Sequence, residues 1–189
     1  MLSYTFKRIA LTNKVTVTDN DTLVLYAHQK LTAFKENIAI FTDLAKTNQV
    51  GYLKADKVID FSPTLTYRDS SENVRFAVKR HGGRSIWRAQ YDIVDSTGIV
   101  LYKVSEDSPI VKVLDSLFGE IPVIGLFAGY VFHAKYNIDT PGGERVAQIR
   151  KLPAFLESRY EFDFDRRNDP LGILPTAILA VLTRERMRS

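Results

Sequence analysis

Residues Tyr91 to Tyr102 read YDIVDSTGIVLY, and this stretch is the clearest indication of fold class in the 189-residue chain. Apolar and polar residues alternate in its first half, as in a strand whose successive side chains point to opposite faces. Asp95 to Gly98 follow with turn chemistry, because Asp and Ser bond nearby backbone groups and Gly tolerates positive φ. Ile99 to Tyr102 form an apolar return run. The stretch therefore predicts an antiparallel β-hairpin.

The same unit recurs along the chain: an alternating strand, an Asp, a turn and a second strand. Where the repeat is regular, its spacing is about 25 residues. Other alternating runs are Val15 to Thr18, Ile38 to Ile40, Leu65 to Tyr67 and Tyr160 to Phe162. These units predict roughly six hairpins, or about 12 strands. Antiparallel strands with one apolar face are expected to form a sandwich or a closed barrel, because open edges promote aggregation.

A helix formed by the apolar run from Leu171 to Leu182 would have apolar side chains on all of its sides. Such a helix is typical of a protein core or a membrane. A bilayer span needs about 20 residues, and Pro175 interrupts this run. As a tail anchor, the segment would have to carry Arg184, Arg186 and Arg188 across the membrane. We therefore predict a mainly β fold, an antiparallel barrel of about 12 strands that encloses a hydrophobic C-terminal α-helix.

A second apolar region, Ser108 to Phe132, departs from the hairpin pattern. Ser108 can cap a helix, Pro109 suits its first turn and Gly119 suits its end, so a short extra helix is expected around 109–118. The apolar run that follows is shorter than the roughly 20 residues of a bilayer span. We interpret it as a buried loop and strand, with a membrane-dipping loop as the alternative.

Composition indicates one globular domain over residues 1–189, with 45% hydrophobic and 25% charged residues and no linker rich in Pro, Gly or Ser. The absence of cysteine excludes disulfides, thiolate nucleophiles and cysteine-based metal sites. A formal net charge of +4 favours anionic partners such as phospholipid headgroups or nucleic acid. An ordinary solvated surface is the alternative explanation of this charge.

The densest basic feature is the stretch from Lys79 to Arg88, which reads KRHGGRSIWR and holds the only tryptophan. Arg and Lys hold phosphate, glycine lets backbone N–H groups approach it, and Trp suits the boundary between water and lipid. A solvated turn with Trp87 packed into the barrel is the alternative. The candidate residues for binding an anion or lipid headgroup are Lys79, Arg80, Arg84, Trp87 and Arg88.

The sequence shows no recognisable catalytic, metal-binding or cofactor-binding motif. None of the three histidines, His28, His81 and His133, has a second histidine at metal-ligand spacing. The sequence has no nucleophile elbow, phosphate-binding loop or dinucleotide motif. We therefore expect a protein that is not an enzyme and that holds neither a cofactor nor a metal.

The repeated strand–Asp–turn–strand units and the final apolar run resemble the Tubby C-terminal-like superfamily. This superfamily includes Tubby-like proteins, phospholipid scramblases and LURP-one-related proteins. The resemblance covers nearly the whole chain and is one of pattern. It implies a barrel of about 12 strands threaded by a hydrophobic C-terminal helix. Its members bind phosphoinositides, associate with membranes through lipidation or are described as scramblases.

Two features of the chain depart from the scramblases. Scramblases carry a palmitoylated cysteine cluster, whereas this chain has no cysteine. They also carry a proposed calcium loop before the last helix, where this chain has Asp163, Asp165 and Asp169. If a calcium loop is counted from Asp163, its fifth and twelfth positions should supply oxygen ligands. In this chain Arg167 stands at the fifth position, and Leu174 stands at the twelfth in place of Glu. We interpret these acidic residues as a solvated strand end and a helix N-cap.

Together, the resemblance and the Lys79–Arg88 stretch predict a non-enzymatic module that binds anionic phospholipid or phosphoinositide headgroups at a membrane surface. A protein-interaction or regulatory scaffold with a protein partner is the alternative. Nucleic-acid binding is a third hypothesis, motivated by net charge alone. The expected location is the cytoplasm, with peripheral contact at the inner face of the membrane.

Overall fold

The computed structural model describes residues 1–9, 12–30, 37–56, 64–81, 89–107, 135–154 and 157–186. Within these ranges the chain forms twelve β-strands, a 3-10 helix at Arg166–Asn168 and one α-helix, α1 (Leu174–Arg186). The strands are β1 (Leu2–Ile9), β2 (Thr12–Asp19), β3 (Thr22–Lys30), β4 (Asn37–Phe41), β5 (Gln49–Asp56), β6 (Thr64–Asp69), β7 (Val74–Arg80), β8 (Gln90–Val94), β9 (Val100–Glu106), β10 (Lys135–Asp139), β11 (Arg145–Leu152) and β12 (Ser158–Phe164).

The strands form a closed barrel in which each strand lies between its neighbours in sequence. Every pairing is antiparallel, and β1 pairs with β12 to complete the circle. Closure removes the two open edges that a sheet of this size would otherwise present. The predicted barrel is confirmed. The helix expected around 109–118 and the apolar run up to 132 lie outside the described residues.

The strand registers bring the apolar positions together on the inner face of the barrel. Residues directly opposite on neighbouring strands share a face. Tyr4 faces Val17 on one side and Tyr160 on the other, and Val78 faces Ile93. All five side chains are buried, with exposures of 5% or less. In these strands the alternation in the sequence therefore identified residues that point inward.

α1 occupies the interior of this barrel. The six consecutive residues from Ala177 to Leu182 have 0% exposure. Because successive helical residues are rotated by about 100°, this run is covered on every side. Tyr4 on β1 donates a hydrogen bond to the carbonyl oxygen of Pro175 (2.9 Å), and Tyr102 on β9 donates one to that of Asn168 (2.8 Å). The predicted hydrophobic C-terminal helix is confirmed inside the barrel.

Connections between the strands alternate between the two ends of the barrel, because the strands run up and down in chain order. The turn end carries the connections that follow β2, β4, β6, β8 and β10, together with the segment that leads from β12 into α1. The distal end is the opposite one, where α1 terminates at Arg186. None of the described helices is long and apolar enough to cross a membrane.

Candidate functional site

The two sequence-predicted site residues that can be placed lie on opposite faces of β7. Lys79 and Arg80 are its last two residues, and consecutive strand residues point to opposite faces. Lys79 faces Asp92 on the outer wall and is exposed. Arg80 faces Tyr91, whose side chain is buried in the barrel. The other predicted residues, Arg84, Trp87 and Arg88, lie outside the described residues, so their part of the site stays a prediction.

Lys79 belongs to a row of charged residues that crosses four strands at the outer wall. Asp92 lies between Lys79 on β7 and Lys103 on β9 in the strand registers. The same carboxylate lies 2.8 Å from Nε2 of His81. On its other side Lys103 faces Asp139 on β10, so the two lysines of this row alternate with two carboxylates.

The distal end also carries two pairs of basic residues that face each other directly. Lys135 on β10 is opposite Arg150 on β11, and Lys7 on β1 is opposite Lys14 on β2. Like charges at directly opposite positions destabilise a sheet. Each pair has one partly compensated member, because Glu161 lies 3.6 Å from Arg150 and Glu157 lies 3.2 Å from Lys7. Two basic side chains that face each other do not stabilise the barrel. The two basic pairs are therefore candidates for a role in binding.

The turn end has the opposite character, because acidic side chains organise its turns. The carboxylate of Asp95 accepts hydrogen bonds from the backbone N–H groups of Thr97 (2.8 Å) and Ile99 (2.9 Å). Hydrogen bonds from Thr97 and from the turn backbone hold the pKa of Asp95 below its usual value. The acidic residues of the described turns and their adjoining strand ends are Asp19, Asp21, Asp43, Asp69, Glu72, Asp95, Asp139 and Glu144. Arg166, Arg75 and Arg145 pair with three of these carboxylates, and acidic residues stay in excess at this end, so net charge differs between the two ends of the barrel.

A cluster of buried and half-buried side chains holds the end of α1 to the distal end of the barrel. The hydroxyl of Tyr91 donates a hydrogen bond to Oε1 of Glu185. The guanidinium carbon of Arg186 lies 5.2 Å from the centre of the Phe6 ring. Burial, followed by the neighbouring Glu185 carboxylate, raises the pKa of Tyr91 well above its usual value, so this phenol stays a neutral donor. These contacts fix the helix and account for the cluster structurally.

Sequence reasoning missed this cluster because its members meet only in space. Tyr91 and Glu185 are 94 positions apart. One signal in the sequence points to it: Glu185 is the only acidic residue of the helix and lies three positions after the end of the apolar run at Leu182. A carboxylate there needs a partner if the helix is enclosed.

The acidic residues ahead of α1 are engaged in local hydrogen bonds. Oδ1 and Oδ2 of Asp169 accept hydrogen bonds from the backbone N–H groups of Ile173 and Leu174, both at 3.0 Å. Asp165 accepts one from the N–H of Arg167 and caps the 3-10 helix. These contacts agree with the helix-cap interpretation. In the described part of the chain, no group of three or more His, Asp or Glu side chains is arranged to hold a metal.

Comparison of the chain with known protein families, with characterised proteins and with solved structures finds no match. The resemblance to the Tubby C-terminal-like superfamily therefore stays a prediction.

Proposed function

We propose that this domain is a non-enzymatic module that binds anionic phospholipids at a membrane surface, with its distal end toward the lipid. The observation that carries the proposal is the pair of like-charged juxtapositions, Lys135 with Arg150 and Lys7 with Lys14. An anionic surface relieves the repulsion that these pairs impose on the free protein. Each Lys or Arg close to such a surface contributes about 1 kcal/mol of attraction.

The charge separation along the barrel axis supports one orientation. An anionic membrane attracts the distal end and repels the acidic turn end. The domain therefore approaches the membrane with its barrel axis perpendicular to the surface and its distal end first. β7 ends and β8 begins at the distal end, and Arg84, Trp87 and Arg88 lie between these two strands in the sequence. We propose that these three residues extend the same surface. Phosphoinositide headgroups, with several phosphates each, belong to the same class of ligand.

A role without catalysis suits the arrangement of the interior. α1 fills the barrel and its side chains pack on all sides, which favours the outer surface as the place where ligands bind. Anionic lipids are concentrated in the cytoplasmic leaflet. We therefore propose a cytoplasmic protein that contacts the inner face of the membrane peripherally.

A protein-interaction scaffold is the second candidate, and one observation favours it. The large hydrophobic side chains that are exposed in the described residues all lie at the turn end: Met1, Leu44, Ile99 and Leu171, with exposures of 55–64%. A partner bound there would leave the distal end free for lipid. Nucleic-acid binding would use the same basic end and is separated from lipid binding by the experiment below.

The test is co-sedimentation with vesicles of phosphatidylcholine alone and with phosphatidylserine added. The variant Lys79→Glu/Lys135→Glu/Arg150→Glu reverses three exposed charges at the distal end. We expect its affinity for the anionic vesicles to fall by at least about 100-fold, at about 1 kcal/mol for each charge lost. The matched control, Lys46→Glu/Arg166→Glu/Arg167→Glu, reverses three exposed charges at the turn end and should bind like the parent protein.

Equal losses in the two triple variants would contradict the proposed orientation. Failure of the parent protein to bind anionic vesicles at low salt would contradict lipid binding itself. Tight binding to duplex DNA with a steep salt dependence, without vesicle binding, would favour the nucleic-acid hypothesis instead.

A further inference from the structure

The outer wall of the barrel holds a cavity of about 300 Å³, and one of the two basic pairs described above, Lys7 with Lys14, forms part of its lining. It lies over β1, β2 and β3, beside the turn that joins β4 to β5. Its lining consists of Thr5, Lys7, Lys14, Thr16, Tyr26 and Leu44.

Two adjacent rows of the sheet build the floor of this cavity. In one row Thr5 faces Thr16, and Thr16 faces Tyr26 on the next strand. In the row toward the distal end, Lys7 faces Lys14. Directly opposite residues have their Cβ atoms roughly 5 Å apart, so the two ammonium groups can approach one bound group from both sides.

Tyr26 gives the cavity a buried aromatic side. Although it belongs to the outer wall, it is only 5% exposed. Burial raises its pKa, so its hydroxyl stays protonated and able to donate a hydrogen bond. Leu44 stands at the turn side of the cavity and is 61% exposed. The cavity is therefore cationic toward the distal end and apolar toward the turn end.

The charges of the lining are only partly compensated. Lys7 lies 3.2 Å from Glu157, which also pairs with Arg159. Lys14 makes no ion pair with any residue that the structure describes. The lining itself contains two ammonium groups and three hydroxyl groups but no carboxylate. This donor set suits a small, strongly anionic group.

We propose that this cavity binds a phosphate monoester, with the phosphate between Lys7 and Lys14 and its apolar substituent against Tyr26 and Leu44. A monoester carries a charge near −2 and three terminal oxygens, which matches two ammonium groups and the nearby hydroxyls. A phosphodiester offers one charge and two such oxygens and matches less well. Where the monoester is a lipid headgroup, as in phosphatidic acid, the inference rests on the proposed membrane function. A soluble ester has the same chemistry.

The experiment measures two ligands on the full chain. Phenyl phosphate is titrated while the backbone NMR signals of Thr5 and Thr16 are followed, and vesicles of phosphatidic acid are compared with phosphatidylserine vesicles of equal surface charge. We expect phenyl phosphate to bind, and phosphatidic acid to be preferred. Lys14→Gln should weaken phenyl phosphate binding by at least about tenfold and abolish the preference for phosphatidic acid.

Two further variants control for a general effect of charge and for the fold. Lys54→Gln removes the same charge from an exposed outer position on β5 and should leave both measurements unchanged. Thr16→Val keeps the shape and charge of the lining, removes one donor and should weaken phenyl phosphate binding. Unchanged melting of each variant shows that the barrel is intact.

Each outcome separates the cavity from the membrane function. If phenyl phosphate does not bind and phosphatidic acid is not preferred, the cavity proposal is overturned, even where vesicles still bind through the distal end. If phenyl phosphate binds through Lys14 but no vesicle is bound, the cavity is supported with a soluble ligand and the membrane function fails. Equal losses with Lys14→Gln and Lys54→Gln also overturn the site.

Discussion

At Gly51 in β5 the barrel wall leaves no space for a side chain. A Cβ added there would lie 2.3 Å from the carbonyl oxygen of Arg68 and 2.7 Å from Cε2 of Tyr67. The Tyr67 ring is held on its other side by Phe76, with ring centres 5.2 Å apart, and its hydroxyl donates a hydrogen bond to the carbonyl oxygen of Val50. The ring therefore has little freedom to move aside.

We expect Gly51→Ala to lower the free energy of unfolding by about 1–3 kcal/mol, the usual cost of forcing extra atoms into a packed site. Urea denaturation measures this change. Gly142→Ala is the matched control, because a Cβ there has ordinary contact at 3.7 Å from the Thr140 hydroxyl. The control should change stability by no more than about 0.5 kcal/mol. Similar losses in the two variants would contradict the packing argument.

Neighbouring residues can serve separate purposes when they lie on a strand. Lys79 and Arg80 are adjacent in the sequence, and their basic character made them one candidate site. On β7 their side chains point to opposite faces, with Lys79 on the outer wall and Arg80 facing Tyr91. Period-two alternation is a local rule, so this separation follows once the strand is known to reach Arg80.

At the scale of the element, α1 has no polar face along most of its length. Even Thr183 is buried, and its hydroxyl donates a hydrogen bond to the carbonyl oxygen of Leu179 (2.7 Å). Such a helix is insoluble on its own and depends on the barrel wall for cover. The barrel in turn depends on the helix to fill its interior, because voids in a core are costly.

Leu179→Ala should therefore lower the free energy of unfolding by about 2–5 kcal/mol, as expected for a truncated leucine that leaves a cavity. Guanidinium denaturation followed by circular dichroism measures this effect. Ile99→Ala removes an aliphatic side chain that is 64% exposed and should cost about 0.5 kcal/mol or less. If the two variants are equally stable, α1 does not pack inside the barrel.

At the scale of the whole molecule, buried phenols link stability to pH. Burial is the largest cause that raises the pKa of Tyr4, Tyr91, Tyr136 and Tyr160 above the usual value of 10.0. In the unfolded chain these groups ionise near pH 10, whereas in the folded barrel they keep their protons. Their contribution to stability is therefore complete below pH 10 and declines as the pH rises further.

The urea midpoint should be nearly constant from about pH 7 to 9 and fall above about pH 10. Tyrosinate absorbance should show that the buried phenols ionise together with unfolding. Tyr136→Phe should reduce the slope of stability against pH in the alkaline range. Phenylalanine has no phenol, so one fewer proton is released when the protein unfolds. Ionisation of all the tyrosines near pH 10 in a protein that stays folded would contradict this account.

Local sequence patterns were enough to predict the barrel and its enclosed helix. Alternation and Asp-based turns act between close neighbours, and a helix that is apolar on every side can be recognised from its own residues. The distribution of charge was not predicted, because the end at which each residue lies depends on the direction of its strand and on closure of the barrel. The cavity was missed for a related reason: Leu44 and Tyr26 come close to Lys7 only when β1, β2, β3 and β4 lie side by side.

The amino-acid sequence alone thus established the strands, the turns, the buried helix and the absence of thiol chemistry. Tertiary structure alone decided which distant groups meet. Tyr91 reaches Glu185 and Tyr4 reaches Pro175 only because the barrel surrounds the helix. Hydrogen-bonding preferences and side-chain alternation are encoded residue by residue, whereas contacts between distant residues arise from chain closure and depend on all strands at once.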